Sequence, residues 1–593
     1  MLEIPETAGV APAARVERWL AEREVLLVLD NLEQLAEGSA VLGVLLSACP
    51  GLTLLVTSRE PLRLAGEQQY EVPVLEPQDA IALFDSRTQA VLPGLIVHPK
   101  LADAICARLD RLPLAIELAA ARTKALSLSE LYARLDKSLP LLTGGPRDAP
   151  RRQQTLTATI DWSYHLLSDG EQALFRRLSV FAGGFDLEAA KEICDADLDG
   201  LQSLIDKSLL HRAEGDRFFL LETTQEYGHR RLQVASELNE RRGDHAEWFH
   251  RLAMGPEEHF RSPEQAAWLA RVYADTDNFR DALAWSFESD LARGLALATA
   301  LYRPWLMHGH VEELISWFER ARAELHTVDK GTQAAALRAF GEALSYDNQH
   351  DHARQVLQES LILFREIGDR LGEAFALNVL GMVCWARGSL PQAIEHGEAA
   401  LAIYRENGDR HGMARSLHLM GVYLRDARDF ARGEAALKQA RALLTEVGDR
   451  SAAAASTLCL GDLALDTNET DEAACRYRQA LETEIEFGDE RLQAYCIAGL
   501  ACVAAVQGDR YSAGRLWAVA ETVDGRLGMC FRPQERRRYD RLLTPLGDDQ
   551  GFRAGQEAGR DVGLAHAIRE IIDRSPAQAK NDPPTPVEGA QRV

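Results

Sequence analysis

Positive charge is scarce in this sequence. Its 593 residues hold 66 Lys and Arg against 90 Asp and Glu, a net charge of -24. A field of that sign opposes nucleic acid and anionic lipid at long range and leaves only a local basic patch as a route to either. Paired cysteines are missing as well. The nine Cys stand singly, with no Cys-x-x-Cys or Cys/His ligand spacing, which argues against a zinc site or a disulfide framework and for reduced, mostly buried thiols. The N-terminus, MLEIPETAGVAPAARVERWL, lacks a basic start followed by an apolar core, so it is not a conventional signal peptide, and no run of about 18 apolar residues offers a membrane span. A cytoplasmic location without a membrane partner is the expectation. Gly-x-Ser-x-Gly and His-Glu-x-x-His are absent, and no nucleophile and base stand at a spacing that predicts contact. No residue is therefore assigned a catalytic role, and no enzyme is expected.

What is present has globular composition, 46% hydrophobic and 26% charged, and a length suited to about two to four domains. Val25 to Leu29 in VLLVLDNLEQL suit a strand buried on both faces of a parallel sheet. Asp30 follows at the carboxyl end, the edge where open α/β sheets bind ligands, although Asp-Asn is also good turn chemistry. Leu52 to Ser58 read as a second buried strand closed by Thr57-Ser58-Arg59. Tyr70 to Leu75 read as a third, placed at an edge by Pro73. In LADAICARLDRLPLAIELAAAR, residues 101 to 122, Pro113 interrupts a helical segment.

The succession VLLVLDN, LLVTSRE, RLPLAIELAAAR, TLTATIDWSYHLLS, LFRRLSVFAGGF and LIDKSLL resembles the nucleotide-binding module of the STAND ATPases (NB-ARC-like, signal-transducing ATPases with numerous domains), especially the large bacterial LuxR-type and SARP-type regulators. The likeness covers roughly residues 20 to 235. It implies ADP or ATP with Mg²⁺ as cofactor, Asp30 as the Walker B carboxylate and metal ligand, Arg59 as the sensor arginine, and Pro113 as the adenine-contacting proline of the family's Gly-Leu-Pro-Leu motif. Asn31 stands where many relatives carry a second acid that could orient the attacking water. The Met-His-Asp motif aligns with Leu220-Leu221-Glu222, without its histidine.

A phosphate loop, Gly-x-x-x-x-Gly-Lys-Ser/Thr, matches nowhere in the sequence, and only such a loop offers backbone amides that wrap phosphates. The family places it upstream of Walker B by more residues than precede Val25. The expectation is thus a truncated or split protein, with its P-loop or effector part on a separate N-terminal polypeptide, and no independent hydrolysis. In the family's sheet the strand that carries this loop lies between the second and third strands, whose ladder groups would then need another partner.

Helices from Gln153 to Leu167, from Ser168-Asp169 to Val180, from Asp186, and from Asp199 to Ser208, followed by a hairpin of 209–212 and 217–221, read as a winged helix. Residues 151 to 235 carry ten Lys/Arg and fourteen Asp/Glu. The helix that would enter a groove has Asp197, Asp199 and Asp206 against Lys207, so its charge argues against direct DNA binding.

From residue 340 the sequence repeats at a period of 40: Gly368-Asp369-Arg370 recurs as Gly408-Asp409-Arg410, Gly448-Asp449-Arg450 and Gly488-Asp489-Glu490. Such a period marks a solenoid of helix pairs, Gly ending one helix in a left-handed cap and Asp capping the next. The units resemble tetratricopeptide repeats, and a weaker unit at DTDNFRDALAWSF extends the array back to about residue 245. Solenoids present a concave surface to peptides or partner proteins. Asn378, Arg415, His418 and Tyr495, on first helices of the units, either face that groove as partner-binding residues or are simply exposed or satisfied at the repeat seams.

The expected architecture is mostly α: a partial α/β P-loop-type nucleotide domain over residues 1–95, a helical subdomain over 96–150, a winged helix over 151–235, an α-solenoid of tetratricopeptide-like repeats over 245–545, and a disordered Pro-rich tail over 574–593. The resemblance implies a regulatory signal-transduction protein, related to transcriptional regulators, that senses a protein or peptide ligand through its repeats. The alternative is an interaction scaffold whose nucleotide domain is vestigial.

Overall fold

The computed structural model describes residues 12–30, 32, 38–58, 61–135, 142, 155–213, 215–255, 265–527 and 531–573. The chain divides into two units, Met1–Trp248 and Phe249–Val593. The tail over 574–593 and Cys530 lie outside the described residues. Of the remaining eight cysteines, all unpaired, Cys475 is exposed and the others are buried.

The first unit opens with α1 (Pro12–Leu20), β1 (Val25–Leu29), α2 (Gly38–Ala48) and β2 (Leu52–Val56). β1 and β2 pair in parallel, Val25 opposite Leu52 and Leu29 opposite Val56, and α2 supplies the crossover that parallel strands require. Val25, Leu27, Leu29, Leu54 and Val56 pack against Leu20, Leu42 and Leu45 on the helices and Cys49 just past α2. The opposite face is bare: Leu26, Val28 and Leu55 are 61%, 58% and 56% exposed. The expected burial on both faces is therefore corrected, because α1 and α2 cover one side only. Nor is Tyr70–Leu75 a strand. Leu75 N–H donates to Arg111 C=O at 3.2 Å, but Pro73 has no N–H to offer, and Tyr70 and Val72 stand 85% and 83% exposed.

Next come α3 (Pro77–Val91), α4 (Pro99–Ala107), α5 (Pro113–Arg122) and α6 (Leu128–Arg134), joined through the fully buried Phe84, Ile105, Cys106 and Ile116. Pro113 sits at the start of α5, where a missing N–H costs nothing.

The winged helix comprises α7 (Leu156–His165), α8 (Asp169–Leu178), β3 (Gly184–Asp186), α9 (Leu187–Cys194), α10 (Leu198–Asp206), β4 (His211–Ala213), β5 (Arg217–Phe219) and α11 (Glu222–Val234). Thr155 caps α7, and Gln153 lies outside the described residues. Ser168 and Glu171 close a capping box on α8, while Asp186 and Asp197 cap α9 and α10. The wing starts two residues later than expected. Ser208 has a positive φ of 55°, and Leu209 and Leu210 donate back to Leu204 C=O, which holds them in the helix's end and out of the ladder. β3 adds an unforeseen third strand, in the antiparallel order β3-β5-β4. α12 (Leu238–Met254) follows.

The second unit contains α13 (Gln265–Ala274), α14 (Thr276–Ser289), α15 (Leu291–Met307) and α16 (Val311–Ala321), then five regular pairs. These are α17 (Lys330–Tyr346) with α18 (His350–Ile367), α19 (Arg370–Ala386) with α20 (Leu390–Glu406), α21 (Arg410–Asp426) with α22 (Phe430–Glu446), α23 (Arg450–Asp466) with α24 (Thr470–Phe487), and α25 (Glu490–Gln507) with α26 (Arg510–Leu527). Gly368, Gly408, Gly448 and Gly488 take positive φ of 76°, 66°, 83° and 65° at the joints, a conformation that costs other residues a steric penalty. The Asp after each glycine caps the next helix; Asp369 accepts from Gly372 N–H at 2.8 Å.

A ladder of ion pairs runs in the same register: Lys330–Glu366 at 3.0 Å, Arg370–Glu406 at 3.6 Å, Arg410–Glu446, and Arg450–Glu486 at 2.7 Å. At the last pair the signs reverse, Glu490 meeting Arg526 at 2.5 Å.

The chain then turns back. α27 (Pro533–Leu543) crosses the carboxyl ends of three first helices, and α28 (Gln550–Arg560) and α29 (Leu564–Asp573) extend the packed array beyond the expected limit of 545. α28 lies backbone to backbone on α26, where a Cβ on Gly555 would sit 2.1 Å from Tyr511 O. On α27, Arg538 pairs with Asp426 at 3.2 Å and Asp466 at 2.9 Å, Arg541 pairs with Asp466 at 3.2 Å, and Gln534 donates to Ala386 C=O.

Candidate functional site

The carboxyl edge of the small sheet carries Asp30, which is exposed and accepts a hydrogen bond from Thr57 Oγ1. Backbone bonds from Thr57 N–H to Leu29 C=O at 2.9 Å and from Leu32 N–H to Thr57 C=O at 3.0 Å fix this corner. Asn31 and Arg59 lie outside the described residues. Pro113 is exposed at the head of α5, a different element. Among the described residues of this edge, a nucleotide with Mg²⁺ finds too few partners to fit. These residues offer one described carboxylate, already engaged by Thr57, and no glycine-rich loop to cradle phosphates. Among the described residues no group of three His, Cys, Asp or Glu could hold a metal.

The turn before Pro113 does something the sequence did not announce. Asp110 and Arg111 both have positive φ, 54° and 51°. The Asp110 carboxylate accepts from Glu222 N–H at 2.9 Å, Thr223 N–H at 3.0 Å and Thr223 Oγ1 at 2.9 Å. It thereby caps α11 at the segment aligned with the Met-His-Asp motif. Burial raises its pKa in spite of those bonds.

On the winged helix, Lys207 Nζ is held by Glu171 Oε1 at 2.5 Å and Ser203 Oγ at 3.2 Å. Arg63 is bound to Asp206 at 2.8 Å. The cation at the end of α10 is therefore committed internally while Asp197 caps the helix start.

A deep concavity lies inside the repeats, a cavity of about 1080 Å³. Its lining follows three registers of the first helices at the 40-residue period: Ala335, Phe375, Arg415, Ala455 and Tyr495; Arg338, Asn378, His418 and Leu458; Glu342, Met382 and Val422. The four residues singled out from sequence are thus brought to one cavity, and each also has a local partner. Asn378 and Ser416 exchange hydrogen bonds at 2.9 and 3.1 Å. His418 Nδ1 lies 2.9 Å from Ser456 Oγ, and burial, with Arg415 and Arg532 nearby, pushes its pKa down to about 4, so it is neutral at pH 7. Arg415 approaches Glu342 to 3.7 Å, and Tyr495 Oη accepts from Arg532 N–H at 3.0 Å. Arg338 and Glu342 were missed; Arg338 stands one period before Asn378, a signal the sequence held. Arg532, just before α27, sits 4.2 Å from the Tyr346 ring centre and 5.5 Å from that of Trp385.

Comparison with known proteins adds two domain matches: a tetratricopeptide repeat over residues 332–406 and a winged helix-turn-helix domain over 167–233. The chain is 37% identical over 402 residues to a Mycobacterium tuberculosis protein named "Putative HTH-type transcriptional regulator", covering 64% of this chain and 45% of that protein. It is 27% identical over 472 residues to "Regulatory protein AfsR" of Streptomyces griseus, covering 67% and 47%. A solved structure of a STAND protein with a tetratricopeptide repeat sensor, from Pyrococcus horikoshii, aligns with 95% of this chain and 84% of that one at 14% identity and a TM-score of 0.38. The chain spans about half the length of the curated relatives it matches, carries a winged helix and a tetratricopeptide array, and is similar in sequence to proteins named as regulators.

Proposed function

We propose that this chain is a non-enzymatic, cytoplasmic signal-sensing regulator of the STAND type, which binds a ligand or protein partner in its repeats and passes occupancy to the winged helix. The observation that carries this reading is the cavity of about 1080 Å³ in which Arg338, Asn378, His418 and Arg415 of successive first helices meet. The similarity to proteins named as transcriptional regulators supports the output side. The α/β segment does not hydrolyse ATP alone, since a nucleotide response needs a phosphate cradle supplied from outside these residues, such as by a partner polypeptide. The winged helix acts through protein contacts, because Lys207 is neutralised by Glu171 and the surrounding charge is acidic.

A second reading, direct DNA binding, is favoured by the helix-turn-helix match over 167–233; fluorescence anisotropy with labelled duplex at low salt separates the two, the present reading expecting no saturable signal. The main test is hydrogen exchange on the full chain with fractionated small molecules and peptides from cell extract. Protection of α17, α19 and α21 together with altered exchange in residues 155–234 is expected. Protection that never alters 155–234 leaves only an interaction scaffold, and no protection by any fraction refutes the sensor.

A further inference from the structure

Two guanidinium groups in the cavity share one carboxylate. Arg338 Nη1 lies 3.5 Å from Glu342 Oε2 and Arg415 Nη2 lies 3.7 Å from Glu342 Oε1. Neither arginine donates a hydrogen bond to a described residue, although Arg338 is buried to 16% side-chain exposure. Both stand over the same ring: their guanidinium carbons are 4.1 and 4.4 Å from the centre of Phe375. Glu342 Oε2 and the hydroxyl of Tyr302, at 5% and 6% residue exposure, likewise have no hydrogen-bonding partner among the described residues. Buried polar groups in native proteins are almost always satisfied, so such a cluster calls for an explanation.

Charge narrows the explanation. Elsewhere in the lining, Arg303 pairs with Asp449 at 3.4 Å and Arg491 with Asp489 at 3.6 Å, Arg532 is offset by Glu535, and Asp369 and Asp409 are spent on capping α19 and α21. At the Phe375 cluster two cations face one anion, which leaves a single positive charge in a half-buried wall. A carboxylate matches that charge and the planar fork of arginine; a phosphate monoester carries about -1.5 to -2 and would overbalance it. The neighbouring surface is apolar, with Phe375, Val379, Tyr404 and Val422 in the same lining. At about 1080 Å³ the cavity is larger than most small-metabolite sites, which reach roughly 1,000 Å³.

We propose that the repeat cavity binds a monocarboxylate with an apolar body, its carboxylate seated between Arg338 and Arg415 beside Phe375. This rests on the reading of the repeats as a ligand sensor and names the ligand class. A peptide's free C-terminus and a long-chain organic acid share the chemistry, and the experiment separates them.

The experiment is calorimetric titration of the full chain with hexapeptides ending in Leu or Phe, each as free acid and as C-terminal amide, with decanoate and decanamide, and with phenyl phosphate. Saturable binding by one acid series and not by its amide is expected. For that acid, Arg415→Gln should weaken binding by about tenfold or more, Arg415→Lys should restore part of it, and Glu342→Gln should strengthen it severalfold by removing the competing carboxylate. A merely structural Arg415 would not give opposite signs for R415Q and E342Q. The proposal is overturned if no acid binds, if amides bind as well as acids, if R415Q leaves affinity unchanged, or if phenyl phosphate binds more tightly than every acid. If extract fractions protect α17, α19 and α21 in the exchange test while every acid fails here, the carboxylate assignment falls and the sensor reading stands.

Discussion

Glu171 ties two helices of the winged helix together, and its removal has a calculable cost. One oxygen accepts Ser168 N–H at 2.8 Å and Ser168 Oγ at 2.9 Å; the other receives Lys207 Nζ at 2.5 Å and Ser203 Oγ. Both members of the ion pair are 19% exposed. Burial alone would raise this carboxyl, but the bonds from Lys207, Ser203 and Ser168 outweigh it and bring the pKa from 4.5 to about 2. At about 1.4 kcal/mol per tenfold change in acidity, a move from 4.5 to about 2 is worth ~3.5 kcal/mol, and residual solvent screening leaves about 2–3 kcal/mol. The folded pKa lies below the unfolded one, so this stabilisation is complete above about 4.5 and is lost as pH falls toward about 2. Glu171→Gln should therefore cost about 2–3 kcal/mol at pH 7 in urea unfolding, read by exchange of amides in α8 and α10. Between pH 4.5 and 3 the wild type should lose stability more steeply than the variant. A cost below about 0.5 kcal/mol, or parallel acid profiles, would refute the reasoning.

Three further outcomes are expected. Asp462 accepts Arg425 Nη1 at 2.6 Å and Tyr477 Oη at 2.8 Å, so Asp462→Ala leaves the buried Arg425 with Asp426 alone, at 3.0 Å, and the Tyr477 hydroxyl without that acceptor, and should cost about 2–4 kcal/mol in denaturant unfolding of the second unit; a loss under about 1 kcal/mol contradicts this. Gly555→Ala places a methyl 2.1 Å from Tyr511 O, and forcing α26 and α28 apart should lower stability by about 1–3 kcal/mol, despite the better helix propensity of alanine, measured as a drop in Tm. Calorimetry with ADP or ATP plus Mg²⁺ at millimolar concentration should show no saturable binding; tight binding that disappears in Asp30→Ala would reverse the fit argued for that edge.

Local chemistry made much of this architecture readable. The recurring Gly-Asp pair names both a left-handed joint and a helix cap, and Ser168 with Glu171 announces its helix before any packing is known. Longer-range choices left weaker traces. β3 is three residues long, too short for an alternation to register. Tyr70–Leu75 has a strand's composition without a strand's neighbour. Asn348, Arg428 and Asn468 take the same left-handed turn as Gly388 and Gly508, but three residue types at one register hide the rule. In the cavity, Asn378 and His418 were found by helix position, whereas Arg338 and Glu342 matter only through Arg415, which lies two units away along the array. Asp110 was invisible because its role depends on where α11 begins.

The return of α27 changes how the array comes apart. Repeat proteins with contacts only between neighbours can unravel from either end, one unit at a time. Here Gln534 and Arg538 reach back 148 and 112 residues to Ala386 and Asp426, and Arg538 and Arg541 reach Asp466 as well, so three consecutive pairs are laced by one late segment. That lacing raises contact order, and it delays completion of the fold until the chain past residue 540 has been made. Once closed, it makes these repeats melt as a single block, with an exchange footprint that is shared across α19, α21 and α23 and does not decay toward the ends.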